Sequence, residues 1–372
     1  MGAPSAPLIE IPDDIVDAGR ALYEAGYTDG LPVVPPTSAR VEAMMAADPR
    51  AAEASIGRVP PRLGSATIEA LAVNSVMAGA RPEVFPVIVA AMEAMLEPSF
   101  NLLGVQATTH PCGPVVIVSG PIRHALKMNT RANSMGEGNE ARATIGRAIR
   151  FILRNVGGAI PGTTDMVTHG NPARSGFVFA ENEEDSPFPP FHTSLGFAAT
   201  DSVVTVYAGE GPHNVNDHSS HSADAVLRMI AGTVANSGSN DLGRGGKPLI
   251  VMGPEHARIA AREGYTREKV QAFMFANARF PLELLPEETK VWLKSRTDLD
   301  HTLWNARGIP VANRPEDIAI VCGGGEGRHS VYIPSFGFFK PASRKVRFEG
   351  SSSKQREDRL YIFEVERYTI MI

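Results

Sequence analysis

Residues 12–26 (PDDIVDAGRALYEAG) set apolar Ile15, Ala18 and Leu22 on one helical face, behind Pro12, Asp13 and Asp14 and ahead of Gly26. That spacing predicts a first helix with its start and stop signals in place. Pro32, Pro35 and Pro36 then impose an extended path, and a short helix is expected after Thr37 or Ser38. Residues 65–79 and 82–97 are apolar around most of a helical circumference, so they read as a deeply packed helical pair joined at Gly79-Ala80-Arg81-Pro82. From residue 105 the period shortens: VQATTH and PVVIVSGP read as strands, followed by the loop SMGEGN and a long helix over 139–155.

The same succession returns twice. DSVVTVYAGEGPHN is a strand running into a glycine-rich loop, followed by a helix over 222–236 with the stripe Val226, Met229, Ile230, Val234. PLIVMGPEHARIA echoes PVVIVSGPIRHAL, and EDIAIVCGGGEGRHSVYIP is strand, glycine loop, strand. The expected fold is therefore α/β, with mixed sheets, packed helices and a weak internal duplication of a strand–glycine loop–helix unit. Three regions follow: a helical region at 1–104, an α/β core at 105–340, and an extended tail at 341–372. In the tail, polar GSSSKQREDR precedes the alternating LYIFEVERYTIMI, expected to pair with an edge of its own body, a symmetry mate or a partner, unless the tail is foreign to the fold.

Composition narrows the class of function. With 372 residues, 43% hydrophobic and 21% charged, the chain has an ordinary globular balance. A formal charge of −5 without a basic block argues against nucleic acid or an anionic membrane as partner. No window approaches a membrane-spanning apolar run, the first residues do not resemble a signal peptide, and two cysteines do not make a disulfide framework. The expectation is a cytoplasmic enzyme subunit acting on a small molecule.

Three loops carry Gly-Glu-Gly, at 136–138, 209–211 and 325–327, where glycine permits close approach of a ligand to backbone N–H groups or simply a tight turn. None continues as a phosphate-binding loop or a dinucleotide fingerprint, so no nucleotide cofactor is expected. The central loop is richest: Glu210, His213, Asn214, Asn216, Asp217, His218 and His221 crowd together before a helix start. Imidazoles beside carboxylates suit proton transfer near neutral pH, and the following helix N-terminus suits a developing anion. Capping alone accounts for Ser219, Ser220, Ser222 and Asp224 but not for the histidines. His213, His218 and His221 could also converge on a metal ion, yet without a cysteine pair or carboxylate cluster the expectation is acid–base use and no metal. His110, His329 and Glu181 are further pocket candidates. Cys112 and Cys322 read as small buried hydrophobes, and His124, His169, His192, His256 and His301 as solvent-exposed.

Tyr23-Glu24-Ala25-Gly26-Tyr27-Thr28-Asp29-Gly30-Leu31-Pro32-Val33-Val34-Pro35-Pro36-Thr37, Thr108-Thr109-His110-Pro111, Ala180-Glu181-Asn182-Glu183, the run Glu210–His218 and Gly324–Ser330 together resemble the large N-terminal region of the UGSC-family (seleno)proteins. The resemblance spans about residues 12–340. It implies a small module with a Sec- or Cys-Gly-Ser-Cys motif; the tail here has no cysteine, so a small second subunit would have to supply it, making a hetero-oligomer. By that resemblance the chain is similar to the large subunit of a two-component ether hydrolase performing hydrolytic O-demethylation of a nitroaryl methyl ether. A substrate-binding subunit of a thiol- or selenol-dependent reductase, and a non-catalytic assembly subunit, are the alternatives. For hydrolysis, His213 or His218 with Asp217 is expected as base and His329 or Glu210 as acid. Asn214 and Asn216 are expected to hold the anion, with His110 and Glu181 lining the substrate.

Overall fold

The computed structural model describes residues 11–12, 14–242, 245–297 and 299–347. In chain order it contains α1 (Ile15–Glu24), α2 (Ser38–Met45), a hairpin of β1 (Ser55–Val59) and β2 (Gly64–Thr67), α3 (Ile68–Met77), α4 (Phe85–Met95), α5 (Leu102–Ala107), β3 (Gly113–Ser119), α6 (Ile122–Ala125), α7 (Glu140–Asn155) and β4 (Phe177–Ala180). There follow β5 (Val203–Gly209), β6 (His213–Asn216), α8 (Ala223–Val234), β7 (Leu249–Met252), α9 (Pro254–Arg262), α10 (Arg267–Asn277), β8 (Arg279–Phe280) and α11 (Glu287–Ser295). The chain closes through β9 (Ile309–Pro310), β10 (Ala319–Cys322), β11 (His329–Ile333) and β12 (Ala342–Lys345). The fold is α/β with mixed sheets.

Two four-stranded sheets form the centre, ordered β12-β5-β3-β4 and β6-β11-β7-β10. In the first, β3 is parallel to β4 and antiparallel to β5, and β5 is antiparallel to β12. In the second, β7 is parallel to β10 and antiparallel to β11, and β11 is antiparallel to β6. The pairing schemes are identical, so the repeated sequence pattern corresponds to a repeated topology. The duplication has one twist: each half sends its fourth strand to the other sheet. The chain leaves β5 to make β6 on the second sheet, and leaves β11 to make β12 on the first. Where the two connections cross, Gly209 bridges Ser335, the Glu210 N–H donates to Pro334 O at 2.8 Å, and the Phe336 N–H donates to Ala208 O at 2.9 Å.

The period of two sorts the second sheet's side chains. Leu249, Val251, Ala319, Val321 and Ile333 join the core shared with β3, β4 and β5, whereas Ile250, Met252, Ile320, Cys322 and Tyr332 join the core beneath α8, α9 and α10. The sheets thus pack face to face, with α3, α4 and α7 outside the first and α8–α10 outside the second. Two Gly-Pro corners repeat at the level of packing. A Cβ on Gly120 would lie 2.0 Å from Asp201 O, and one on Gly253 would lie 2.0 Å from His329 O, so only glycine lets β3 and β7 turn beneath the neighbouring antiparallel strand.

Several expectations are corrected. VQATTH does not open a strand: Asn101 caps Gly104 N and residues 102–107 coil into α5, burying Val105 and Gln106. The N-terminal region is not purely helical, because residues 55–67 form the β1–β2 hairpin, and Thr67 delays the start of α3 by capping Ala70 N. Residues 213–216 are an edge strand rather than loop. Within the expected tail, 342–345 pair with β5 as an integral strand, while the alternating stretch at 360–372 lies outside the described residues. Among the described residues no single helix is long and apolar enough to cross a membrane.

Candidate functional site

Because β3 and β5 run antiparallel, the loop entering β3 and the loop leaving β5 meet on one rim, where the two halves exchange strands. Thr108 Oγ1 accepts the His110 N–H at 3.0 Å, Thr168 N–H donates to Thr109 O at 3.0 Å, and Asn171 Nδ2 donates to Pro111 O, so the loop ahead of β3 is pinned on both sides. His110 thereby comes 2.8 Å through Nε2 from Glu210 Oε1. Its ring lies 5.9 Å from Phe336, which is 5.8 Å from Phe338, itself under the Arg296 guanidinium. With Nε2 facing a carboxylate, the imidazole presents Nδ1 as its other nitrogen, and Nδ1 is buried without a hydrogen-bond partner among the described residues. Gln106, four residues earlier, is buried with both amide atoms likewise unpaired.

Below this pair lies a closed polar network. Tyr332 Oη donates to Asp241 at 2.6 Å, Ser335 Oγ and N–H also donate to it, and burial pushes the Asp241 carboxyl up to about 6 against those hydrogen bonds. The network fixes the segment leaving β11, including the Pro334 carbonyl that receives Glu210.

The opposite rim carries the rest of the expected site. His218 and His329 bring their Nε2 atoms to 3.4 Å, and His329 Nδ1 is 2.9 Å from Asn214 Oδ1. All three are exposed, as are His213 and Asn216. β11 pairs its Tyr332 with His213 and its His329 with Asn216, so Pro334 beside Glu210 and His329 are five residues apart on extended chain, roughly 16 Å. The loop read as one cluster is therefore divided. Glu210 joins His110, while His218 and Asn214 join His329. Asp217 serves neither: its buried carboxylate accepts Ser219 N–H at 3.2 Å and Ser220 N–H at 3.0 Å, bonds that hold it below its ordinary value although burial works to raise it. His221 is exposed, and it does not converge with His213 and His218 as a ligand triad among the described residues.

Also on the opposite rim, Glu181 is fully buried at the end of β4, so it lines no open pocket. It accepts Ser119 Oγ and Phe191 N–H at 2.7 Å each, and burial pushes its carboxyl up to about 7. Asn182 N–H donates to Cys322 O at 2.9 Å and its Nδ2 to Gly324 O at 3.0 Å, tying the end of β4 to the end of β10. Sequence reasoning placed His192 and His256 in solvent; both are buried. His256 spans Ser330 Oγ at 2.8 Å and Asp217 O at 3.1 Å, and burial lowers its affinity for a proton. The missed signal is position: His256 follows the Gly-Pro corner after β7 by three residues, as buried Arg123 follows the corner after β3.

The quoted motifs thus meet in pairs, TTHP with GEGPHN, AENE with GGGEGR, and NDH with RHS. No protein-family model and no curated protein matches the chain.

Proposed function

We propose that this chain is the large, substrate-binding and acid–base component of a two-component cytoplasmic hydrolase of activated small molecules, and that its reaction is hydrolytic O-demethylation of a nitroaryl methyl ether. The observation that carries this reading is the His110–Glu210 pair. A buried polar nitrogen without a partner costs free energy on the order of 1–3 kcal/mol, a cost with a use when that nitrogen handles a proton during reaction. Glu210 fixes the tautomer and supports the charge that His110 acquires, the arrangement of a general base with its orienting carboxylate.

The chemistry follows from the pair. His110 Nδ1 takes a proton from water as the oxygen adds to the ring carbon bearing the methoxy group, and the negative charge moves onto the nitro oxygens. Methoxide then leaves, taking the proton back from His110. Water and ether become methanol and nitrophenol, which ionises to the phenolate, and no electrons are gained or lost. Phe338, exposed beside buried Phe336, offers flat apolar surface to an electron-poor ring. The thiol-dependent alternative gains nothing from this chain's own cysteines: Cys112 and Cys322 are free and buried, and burial pushes both thiols up to about 12.

The test is turnover of a dinitrophenyl methyl ether in ¹⁸O-water, without air or thiol, using the protein together with any protein that co-purifies with it. Label should appear in the phenol and not in methanol. His110→Gln should lower kcat by about 10²–10⁴-fold with little change in folding, and Glu210→Gln by a smaller factor. Full activity in His110→Gln would remove the base from this rim and leave the chain a binding or assembly component. A strict thiol requirement would favour the reductase.

A further inference from the structure

We propose that Glu181, Glu183 and His192 form an inner-sphere site for one divalent transition-metal ion, of the zinc or manganese type, at the carboxyl ends of β3 and β4. This is independent of the His110 reading, since the seven residues of β3 separate the two rims by roughly 20 Å.

The donor atoms come first. One carboxylate oxygen from each glutamate and one ring nitrogen of His192 lie within 4.8 Å of one another. Donors bound at about 2.0–2.2 Å to one ion stand roughly 3–4 Å apart, so this spread needs only a small contraction. Two carboxylates alone would suit magnesium or calcium; the imidazole moves the preference to zinc, manganese or iron.

The decisive detail is the orientation of His192. Its Nε2 lies 3.1 Å from Ala198 O, a carbonyl that only accepts, so Nε2 carries a proton and donates it. In the neutral ring Nδ1 is then a bare lone pair. It is fully buried, has no hydrogen-bond partner among the described residues, and faces Glu183 Oε1 at 3.9 Å. Two acceptors aimed at each other in a buried place repel unless something positive lies between them. A carbonyl behind a ligating imidazole is also the usual outer support of a metal-bound histidine.

The carboxylates are held in the same way. Glu181 receives Ser119 Oγ and Phe191 N–H, and Glu183 receives Gly120 N–H at 2.6 Å and Arg123 Nη2 at 2.8 Å. Each oxygen keeps a second lone pair, so these contacts orient the ligands without consuming them. Arg123 also meets Glu184 through two hydrogen bonds of 3.1 Å, which absorbs much of its charge. Arg267, 4.0 Å from Glu181, spends its N–H groups on Ile320 O and Pro189 O.

The test uses the whole protein. Wild type is stripped with EDTA and desalted, then titrated with Zn²⁺ and Mn²⁺ by calorimetry and thermal melting; protein made in metal-supplemented medium is analysed for metal content. The expectation is one ion per chain and a raised Tm. His192→Ala and Glu183→Gln should each weaken binding by about 100-fold or more, whereas His124→Ala, which removes an exposed contact to Glu184, should bind as wild type does. Wild type that carries no metal and shows neither heat nor a Tm shift overturns the proposal, even if a variant fails to fold. So does binding that survives in the His192 and Glu183 variants together.

Discussion

Glu181→Gln provides the sharpest measure of how this interior treats charge. Burial raises the Glu181 carboxyl from an ordinary 4.5 to about 7, despite hydrogen bonds from Ser119 and Phe191 that pull it down. The native state therefore holds a proton between about pH 4.5 and 7 that the unfolded chain has released. Stability supported by that proton is present below the lower value and declines as pH rises through the window. A span of about 2.5 pH units at about 1.4 kcal/mol per unit gives a full loss of roughly 3.5 kcal/mol, of which about 3 kcal/mol falls between pH 4.5 and 8. Glutamine is uncharged throughout and nearly the same shape. Its carbonyl can accept the Phe191 N–H while the Ser119 hydroxyl turns to accept from the amide. The assay is urea unfolding of both proteins in EDTA at steps from pH 4.5 to 8, read as the difference between them. Subtraction cancels the other buried groups, such as Asp241, raised to about 6, and Asp29 and Asp48, held low by Arg147 and Arg50 despite burial. The variant should gain about 3 kcal/mol on wild type as pH rises. Parallel curves within about 0.5 kcal/mol would refute the reasoning, because Glu181 would then be ionised, or neutral, throughout.

Tyr332→Phe should cost about 1.5–3 kcal/mol by denaturant unfolding, since it removes a 2.6 Å bond to the fully buried Asp241 while keeping the ring volume; a loss below about 0.5 kcal/mol would mean the network is not closed. Gly253→Ala has an ordinary backbone angle but puts a methyl 2.0 Å from His329 O, so it should destabilise by about 3 kcal/mol or more. Gly232→Ala in α8, where the added Cβ meets nothing within 4 Å, should instead be neutral or slightly stabilising in the same assay.

The duplication was legible because it is written in short-range chemistry. Valine-rich strands followed by Gly-Pro corners recur in PVVIVSGP and PLIVMGP, and each buries a strand on both faces. The helices at 15–24, 140–155 and 223–234 were legible from their apolar spacing and start signals, and the structure adds that Asp14, Asn139 and Ser222 cap them. The site was read less well. Nine residues of sequence placed Glu210, His213 and His218 together, but an edge strand holds the first and last on opposite rims. Only long-range register could reveal that His110 and Glu210 meet across 100 positions, or that His329 stands beside His218. His192 was misread because polar neighbours imply solvent, whereas the turn SPFPPF folds it back under the strand ends.

The two halves share a plan and differ where chemistry is concentrated. After β4 the chain reads Glu181-Asn182-Glu183-Glu184; after β10, its topological equivalent, it reads Gly323-Gly324-Gly325-Glu326. Acids in one half face glycines in the other. Packing requires glycine at 325, where a Cβ would stand 2.9 Å from Ala132 N, while Gly324 takes a positive φ of 83° and offers its carbonyl to Asn182 Nδ2. A charged cluster on both sides would bury repulsion with no room to relieve it. The strand exchange does the converse on the far rim. By bridging Gly209 to Ser335 it brings unlike loops together, so that Glu210 from one connection and Phe336 from the other flank the same imidazole. Duplication supplies the scaffold twice; departure from the repeat makes the two rims chemically different.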